Sequence, residues 1–103
     1  MSKKQVQIVT PYIIRQYFNK NGYFNKMLKG EFTTRVGWKK HHAPIDEPIC
    51  TYSQIVYYYD NTRRLVAIVH QYLRPDGTIG ASGKPDPKRI YLKNKTIAVK
   101  SYS

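Results

Sequence analysis

One stretch, residues 52–73, constrains the fold more than any other part of the chain. Residues 52–59 and 65–69 are dense in β-branched and aromatic side chains, the second run extends through residues 70–73, and residues 60–63 between them have turn composition. This pattern predicts a β-hairpin. Because residues 65–69 are apolar on both faces, we expect their strand to be central and covered on both sides.

The residues before the hairpin predict a strand and two helices. Alternation in residues 5–9 predicts a first strand at a sheet edge. Residues 11–19 predict an amphipathic helix with Thr10 as its N-cap. Asn21-Gly22 fits either a left-handed helix stop or a two-residue hairpin turn, and the period of four before it favours the stop. A second short helix is predicted over residues 23–28.

The remaining segments complete an α+β prediction. Residues 32–36 predict a strand, and residues 37–48 a surface loop. Residues 89–92 and 96–99 predict a second hairpin with Asn94 in a left-handed conformation. We therefore expect one small α+β domain over residues 1–103, with an antiparallel sheet of four to six strands packed against one or two N-terminal helices. The alternative is a small all-β barrel.

The charge balance predicts an anionic partner. The chain has 18 Lys and Arg against 6 Asp and Glu, a formal net charge of +12, and such an excess repels itself in a compact state unless something anionic is bound. RNA or DNA is the first expectation, ahead of an anionic membrane surface, and an acidic protein is the alternative. The absence of an apolar N-terminal stretch, or of any apolar run near 20 residues, predicts a soluble cytoplasmic protein with no membrane contact.

The nucleic-acid contacts are predicted from basic residues in turns and loops. Arg74-Pro-Asp-Gly77 ends the second strand. Gly77, Gly80 and Gly83 then predict a mobile loop, which ends in the basic residues Lys84, Lys88 and Arg89. This loop lacks a phosphate-loop motif, since Thr78 and Pro85 stand where that motif needs Gly and Ser or Thr. The predicted nucleic-acid-binding residues are Trp38, Lys39, Lys40, Arg63, Arg64, Arg74, Ser82, Lys84, Lys88 and Arg89.

Trp38 and the ten tyrosines suggest base stacking as a second kind of contact. Exposed Tyr or Trp rings stack on unpaired bases while neighbouring Lys or Arg side chains hold the backbone. Trp38, beside Lys39 and Lys40, is the strongest candidate. Tyr57, Tyr58 and Tyr59 cannot all face one side of a strand.

A catalytic alternative rests on four residues. His70, Tyr72 and Arg74 alternate onto one face of an extended strand, and with Lys84 they could serve a metal-independent ribonuclease as base, acid and cations. No metal and no cofactor is predicted, because Cys50 and the three histidines form no ligand pattern. Cys50 is the only cysteine, so no intramolecular disulfide can form. A homodimer is the alternative to a monomer.

The order of elements resembles that of the small ribosome-dependent ribonuclease toxins of the RelE kind: an edge strand, a helical pair and antiparallel strands on a very basic chain of about 100 residues. This resemblance implies toxin-antitoxin function and ribonuclease activity. Three functions therefore stand as expectations: a nucleic-acid-binding protein, a metal-independent ribonuclease, and an interaction or inhibitor protein for an acidic partner.

Overall fold

Six strands form one mixed sheet in the computed structural model, which describes residues 5–41, 46–81 and 83–102. The strands are β1 Gln5–Ile8, β2 Thr33–His41, β3 Tyr52–Tyr59, β4 Leu65–Leu73, β5 Asp86–Tyr91 and β6 Lys95–Ala98. Their order is β1-β6-β5-β4-β3-β2, and every pair is antiparallel except β1 with β6. The α+β prediction is confirmed, and the barrel alternative is wrong because β1 and β2 remain open edges.

Two helices connect β1 to β2, as the sequence predicts. They are α1 Pro11–Lys20 and α2 Tyr23–Leu28, and a 3₁₀ turn at Lys100–Tyr102 follows β6. The N-cap prediction is confirmed, since Thr10 Oγ1 accepts the Ile13 N–H at 3.2 Å. Gly22 takes a left-handed φ of 67° between the helices, so Asn21-Gly22 is a helix stop.

An aromatic cluster holds both helices on one face of the sheet. Phe18 of α1 lies 6.0 Å from Tyr58 of β3 and 5.3 Å from Tyr23 of α2, measured between ring centroids. Phe32 closes the cluster at 5.5 Å from Tyr23. Ile14, Ala67, Val69 and Ile90 are fully buried beside these rings. We call this side of the sheet the helix face.

In the structure, helices cover only one face of β4. Ala67 and Val69 point to the helix face and are 0% exposed, whereas Ile68 points to the opposite face and is only half-buried. Both helices stack on the same side, because the aromatic cluster joins α1 and α2 to the same strand. The prediction that residues 65–69 are covered twice is therefore wrong, although β4 is central.

Three further local predictions need correction. The predicted surface loop 37–48 is wrong for residues 37–41, which continue β2 past a bulge at Gly37. Lys88, predicted within the glycine-rich loop, belongs to β5, and the strand predicted to begin at Arg89 begins earlier, at Asp86. The tip of the second hairpin closes through a Leu92 N–H to Lys95 C=O bond, and Asn94 has no positive φ.

The glycine-rich loop after β4 is anchored along the part that the structure describes. Ile79 bridges to Leu73, and the Gly80 N–H donates to the Tyr72 carbonyl at 2.7 Å. The Ala81 N–H donates to Glu47 Oε1, also at 2.7 Å. These bonds tie the loop to β4 and to the segment before β3, so the expected mobile loop is held in place.

Tyr58→Phe should stabilise the fold. The Tyr58 hydroxyl is buried and has no hydrogen-bond partner among the described residues, and burial raises its pKa, so it stays neutral. Removing an unsatisfied buried hydroxyl should raise the free energy of unfolding by about 1 kcal/mol, measured by urea denaturation. The exposed Tyr12→Phe is the matched control and should change little. A lower unfolding midpoint for Tyr58→Phe would show that the hydroxyl has an acceptor.

Candidate nucleic-acid interface

The face opposite the helices carries rings and cations from four neighbouring strands. Cross-strand partners share a face, so the register defines its members. Its exposed or half-buried members are Thr33, Arg35, Trp38 and Lys40 of β2; Ile55, Tyr57 and Tyr59 of β3; Ile68, His70 and Tyr72 of β4; and Asp86, Arg89 and Tyr91 of β5. We call this surface the open face.

Cations and rings are paired across the open face. The Arg35 guanidinium lies 5.5 Å from the centroid of the Tyr57 ring, and that of Arg89 lies 5.4 Å from Tyr91. Lys40 Nζ lies 5.7 Å from the Trp38 ring. Such contacts place positive charge directly beside flat aromatic surfaces.

The bulge at Gly37 brings Arg35 and Trp38 onto the same face although they are three positions apart. Any side-chain carbon at position 37 would collide with the Tyr57 ring, which lies over the glycine backbone. Glycine is therefore required for this packing. The bulge also breaks the period of two, which explains why the sequence pattern predicted a loop here.

No carboxylate opposes these cations on the three strands at the β2 side of the sheet. Strands β2, β3 and β4 contain no Asp or Glu. Of the six acids, Asp60 and Asp76 accept hydrogen bonds within their own turns, from Thr62 and Thr78. The cations of β2 thus have no carboxylate on their own strand or on the next two strands of the sheet.

Arg89 is a cation with an incomplete set of partners. Its Nε is buried and has no hydrogen-bond acceptor among the described residues. A buried N–H donor normally has an acceptor, so Arg89 Nε is an unsatisfied donor beside the open face.

A cleft of about 450 Å³ is lined by residues of α1, β4, the glycine-rich loop and β5. Its lining brings together three of the four predicted catalytic residues, His70, Tyr72 and Lys84, and adds Arg15 of α1 and Asp86 of β5. The rings of His70 and Tyr72 meet edge to face with centroids 4.8 Å apart. Their expected alternation onto one face is confirmed.

His70 is held neutral at this cleft. Burial lowers its pKa, the Lys88 ammonium lowers it further, and Asp86 opposes the shift. Its Nε2 lies 2.7 Å from Ser53 Oγ. In the tautomer whose Nε2–H donates to Ser53, Nδ1 keeps its lone pair and can accept a proton.

Asp86 is the acid of the cleft, and two cations engage it. Arg15 Nε lies 2.9 Å from Oδ1, and Lys88 Nζ lies 2.9 Å from Oδ2. Burial would raise the pKa of Asp86, but the hydrogen bonds from Arg15 and Lys88 outweigh it and the pKa is lowered. Lys88, a predicted phosphate contact, is therefore engaged within the chain.

Arg74 lies apart from both surfaces. Its Nε and Nη2 donate to Glu47 Oε2 and Oε1 at 2.8 and 3.2 Å, and it does not line the cleft. The Arg74 hydrogen bond lowers the pKa of Glu47, and the Ala81 N–H adds to the effect. Although it was predicted both as a catalytic residue and as a phosphate contact, Arg74 here anchors the glycine-rich loop.

The other predicted contacts are spread over the molecule. Arg63 and Arg64 are exposed in the β3–β4 turn, where Arg64 lies 3.7 Å from Asp60. Lys39 points to the helix side of β2, with its ammonium 5.2 Å from the Tyr52 ring. Ser82 lies outside the described residues. The structure therefore collects Trp38, Lys40 and Arg89 on the open face and Lys84 at the cleft.

Sequence reasoning missed several residues of these surfaces. Arg35 was missed because, without the bulge, its spacing of three from Trp38 would place the two residues on opposite faces. Tyr91 was missed because alternation alone does not show which face of the sheet is uncovered. Arg15 and Asp86 are 71 positions apart, so no local pattern links them. The one usable signal was the absence of acids from residues 33–41, 52–59 and 65–73.

Comparisons with known proteins give no relative. No family model, curated protein or solved structure matches the chain. Within residues 5–41, 46–81 and 83–102, no group of three or more His, Cys, Asp or Glu side chains is placed to hold a metal ion. None of the helices described is both long and apolar enough to cross a membrane.

The His70 environment predicts a pH dependence of stability. Because folding lowers the pKa of His70, the unfolded chain takes up a proton first as pH falls, so stability is present above the unfolded value of 6.5 and is lost below it. His70→Gln should flatten the free energy of unfolding between about pH 7 and 5. The loss of stability at lower pH, which comes from the protonation of carboxylates such as Asp86, should remain in this variant. An NMR titration placing the His70 pKa at or above 6.5 would contradict this account.

Proposed function

We propose that the protein binds nucleic acid, RNA or DNA, through the open face of its sheet. The observation that carries the proposal is an uncovered face on which Arg35 and Lys40 of β2 and Arg89 of β5 lie among rings from all four strands, with no carboxylate on β2, β3 or β4. A polyanion gains from every such cation by releasing its counterions. We further place the protein in the cytoplasm, where RNA and DNA are accessible.

The contacts divide into a central and a peripheral set. Arg35, Lys40 and Arg89 lie among the rings, where they neutralise phosphates next to stacked or packed bases. Arg63 and Arg64, at the turn that follows Tyr59, extend the positive surface beyond one end of the face. This differs from a grip by the glycine-rich loop, because that loop is anchored and its Arg74 is already engaged by Glu47.

A second candidate, metal-independent cleavage of RNA, is favoured by the cleft that contains His70, Tyr72 and Lys84. In this reaction the 2′-oxygen attacks the phosphorus, His70 Nδ1 accepts the 2′-hydroxyl proton, and the 5′-oxygen leaves with a proton from Tyr72 or water. Lys84 and Arg15 would stabilise the charge on the phosphate. His70 and Tyr72 belong both to the open face and to the lining of the cleft, so an RNA bound on the open face could reach the cleft.

Binding should weaken steeply with salt, and the slope should depend on the open face. Lys40→Ala should reduce the slope of log K against log salt by about 0.7 for a single strand or about 0.9 for a duplex, since one phosphate contact is lost. Lys20→Ala, on the last turn of α1, is the matched control and should keep the full slope. The measurement is fluorescence anisotropy of labelled RNA and DNA over a salt series.

The same reactions separate the candidate functions. RNA recovered from them in the presence of a chelator and run on a denaturing gel should be intact if the protein only binds. Cleavage that disappears in His70→Ala would establish the ribonuclease. Absence of binding to every nucleic acid at low salt would contradict both, and would direct attention to an acidic protein as the partner.

A further inference from the structure

The rings of the open face suggest which form of nucleic acid it takes. We infer that the open face binds unpaired strands by stacking their bases on Trp38, Tyr57 and Tyr91, an inference that rests on the proposed nucleic-acid-binding function. Aromatic side chains are more deeply buried on the helix face of the sheet than on the open face. Tyr23 and Tyr58 on the helix face are buried, whereas Trp38 is 48% exposed and the open-face tyrosines are half-buried.

Unpaired strands fit this surface better than a duplex does. A duplex keeps the faces of its bases stacked inside and presents phosphates and groove edges, so it would leave Trp38 and the tyrosines against charged groups. A single strand exposes the faces of its bases, and each base that stacks on an aromatic side chain adds to the affinity with little dependence on sequence. Ring surfaces on an uncovered sheet face therefore match the chemistry of unpaired bases.

The cations beside the rings supply the second half of the contact. Arg35, Lys40 and Arg89 each lie within 5.4 to 5.7 Å of a ring centroid. A base that stacks on the ring takes the place of the cation. The long side chain of that Arg or Lys then reaches the adjacent phosphate. A base can also stack on the guanidinium plane itself. Each ring and its cation thus form one unit for a base and its phosphate.

Neighbouring strands of a sheet lie about 4.8 Å apart, so β2 and β5 are separated by roughly 14 Å across the face. That span suits two or three stacked bases, as on other sheet surfaces that bind unpaired strands. Tyr72, near the cleft, would meet the strand at its edge. A probe of about ten nucleotides is therefore long enough to cover the whole site.

Trp38 gives a direct test, because it is the only tryptophan of the chain. Tryptophan fluorescence is recorded while the protein is titrated with ten-nucleotide single strands of RNA and of DNA, with the matched duplex, and with inorganic polyphosphate. Stacking predicts quenching and tighter binding with the single strands. Polyphosphate, which has charge but no bases, should bind without quenching.

Variants separate stacking from charge. Trp38→Leu and Tyr91→Leu should each weaken single-strand binding at least about fivefold with the salt slope unchanged, and Trp38→Phe should retain most of the affinity. Tyr12→Leu, which removes an exposed ring from α1, is the matched control and should bind as the unaltered protein does. Thermal unfolding checks that each variant is folded.

The outcomes distinguish this inference from the function on which it rests. Equal affinity for single strand and duplex, without quenching, would overturn stacking and leave nucleic-acid binding in place. Loss of affinity in Trp38→Phe as large as in Trp38→Leu would also overturn it, because a ring would then not suffice. If no nucleic acid binds at low salt, both the proposed function and this inference fail.

Discussion

The contact between Phe18 and Tyr58, with ring centroids 6.0 Å apart, determines which side of the sheet the helices cover. Tyr23 and Phe32 extend this contact to α2 and to the start of β2, so both helices lie on one side. A sheet of six strands has two faces, and two short helices cannot cover both. The open face is therefore a consequence of the aromatic cluster, and its rings and cations are left exposed or half-buried.

The distribution of acids turns this geometry into a charged surface. Asp60 and Asp76 hold their own turns, Glu47 anchors the glycine-rich loop through Arg74, and Asp86 is engaged by Arg15 and Lys88. These acids stabilise local structure away from the centre of the open face. The charged side chains of β2, β3 and β4 are all cations and lie on β2, so Arg35 and Lys40, together with Arg89 of β5, give the open face its positive charge.

The fold was predictable from the sequence to the extent that its signals are local. Thr10 as an N-cap, Gly22 as a helix stop and the hairpin of β3 and β4 all follow from neighbouring residues. The bulge at Gly37 escaped prediction because it depends on where the Tyr57 ring lies in the next strand.

The candidate site was less predictable, since it depends on which face the helices leave open and on long-range pairs such as Arg15 with Asp86. Composition is the basis of the proposed partner class. Of the predicted contacts, Trp38, Lys40 and Arg89 lie on the open face, whereas Arg74 pairs with Glu47. The central claim is that this face, and not the glycine-rich loop, contacts nucleic acid. The most direct test is an NMR titration with a single-stranded oligonucleotide that follows side-chain N–H signals. The account predicts shifts for Trp38, Arg35 and Arg89 and none for Arg74, and shifts of Arg74 with Trp38 unchanged would contradict it.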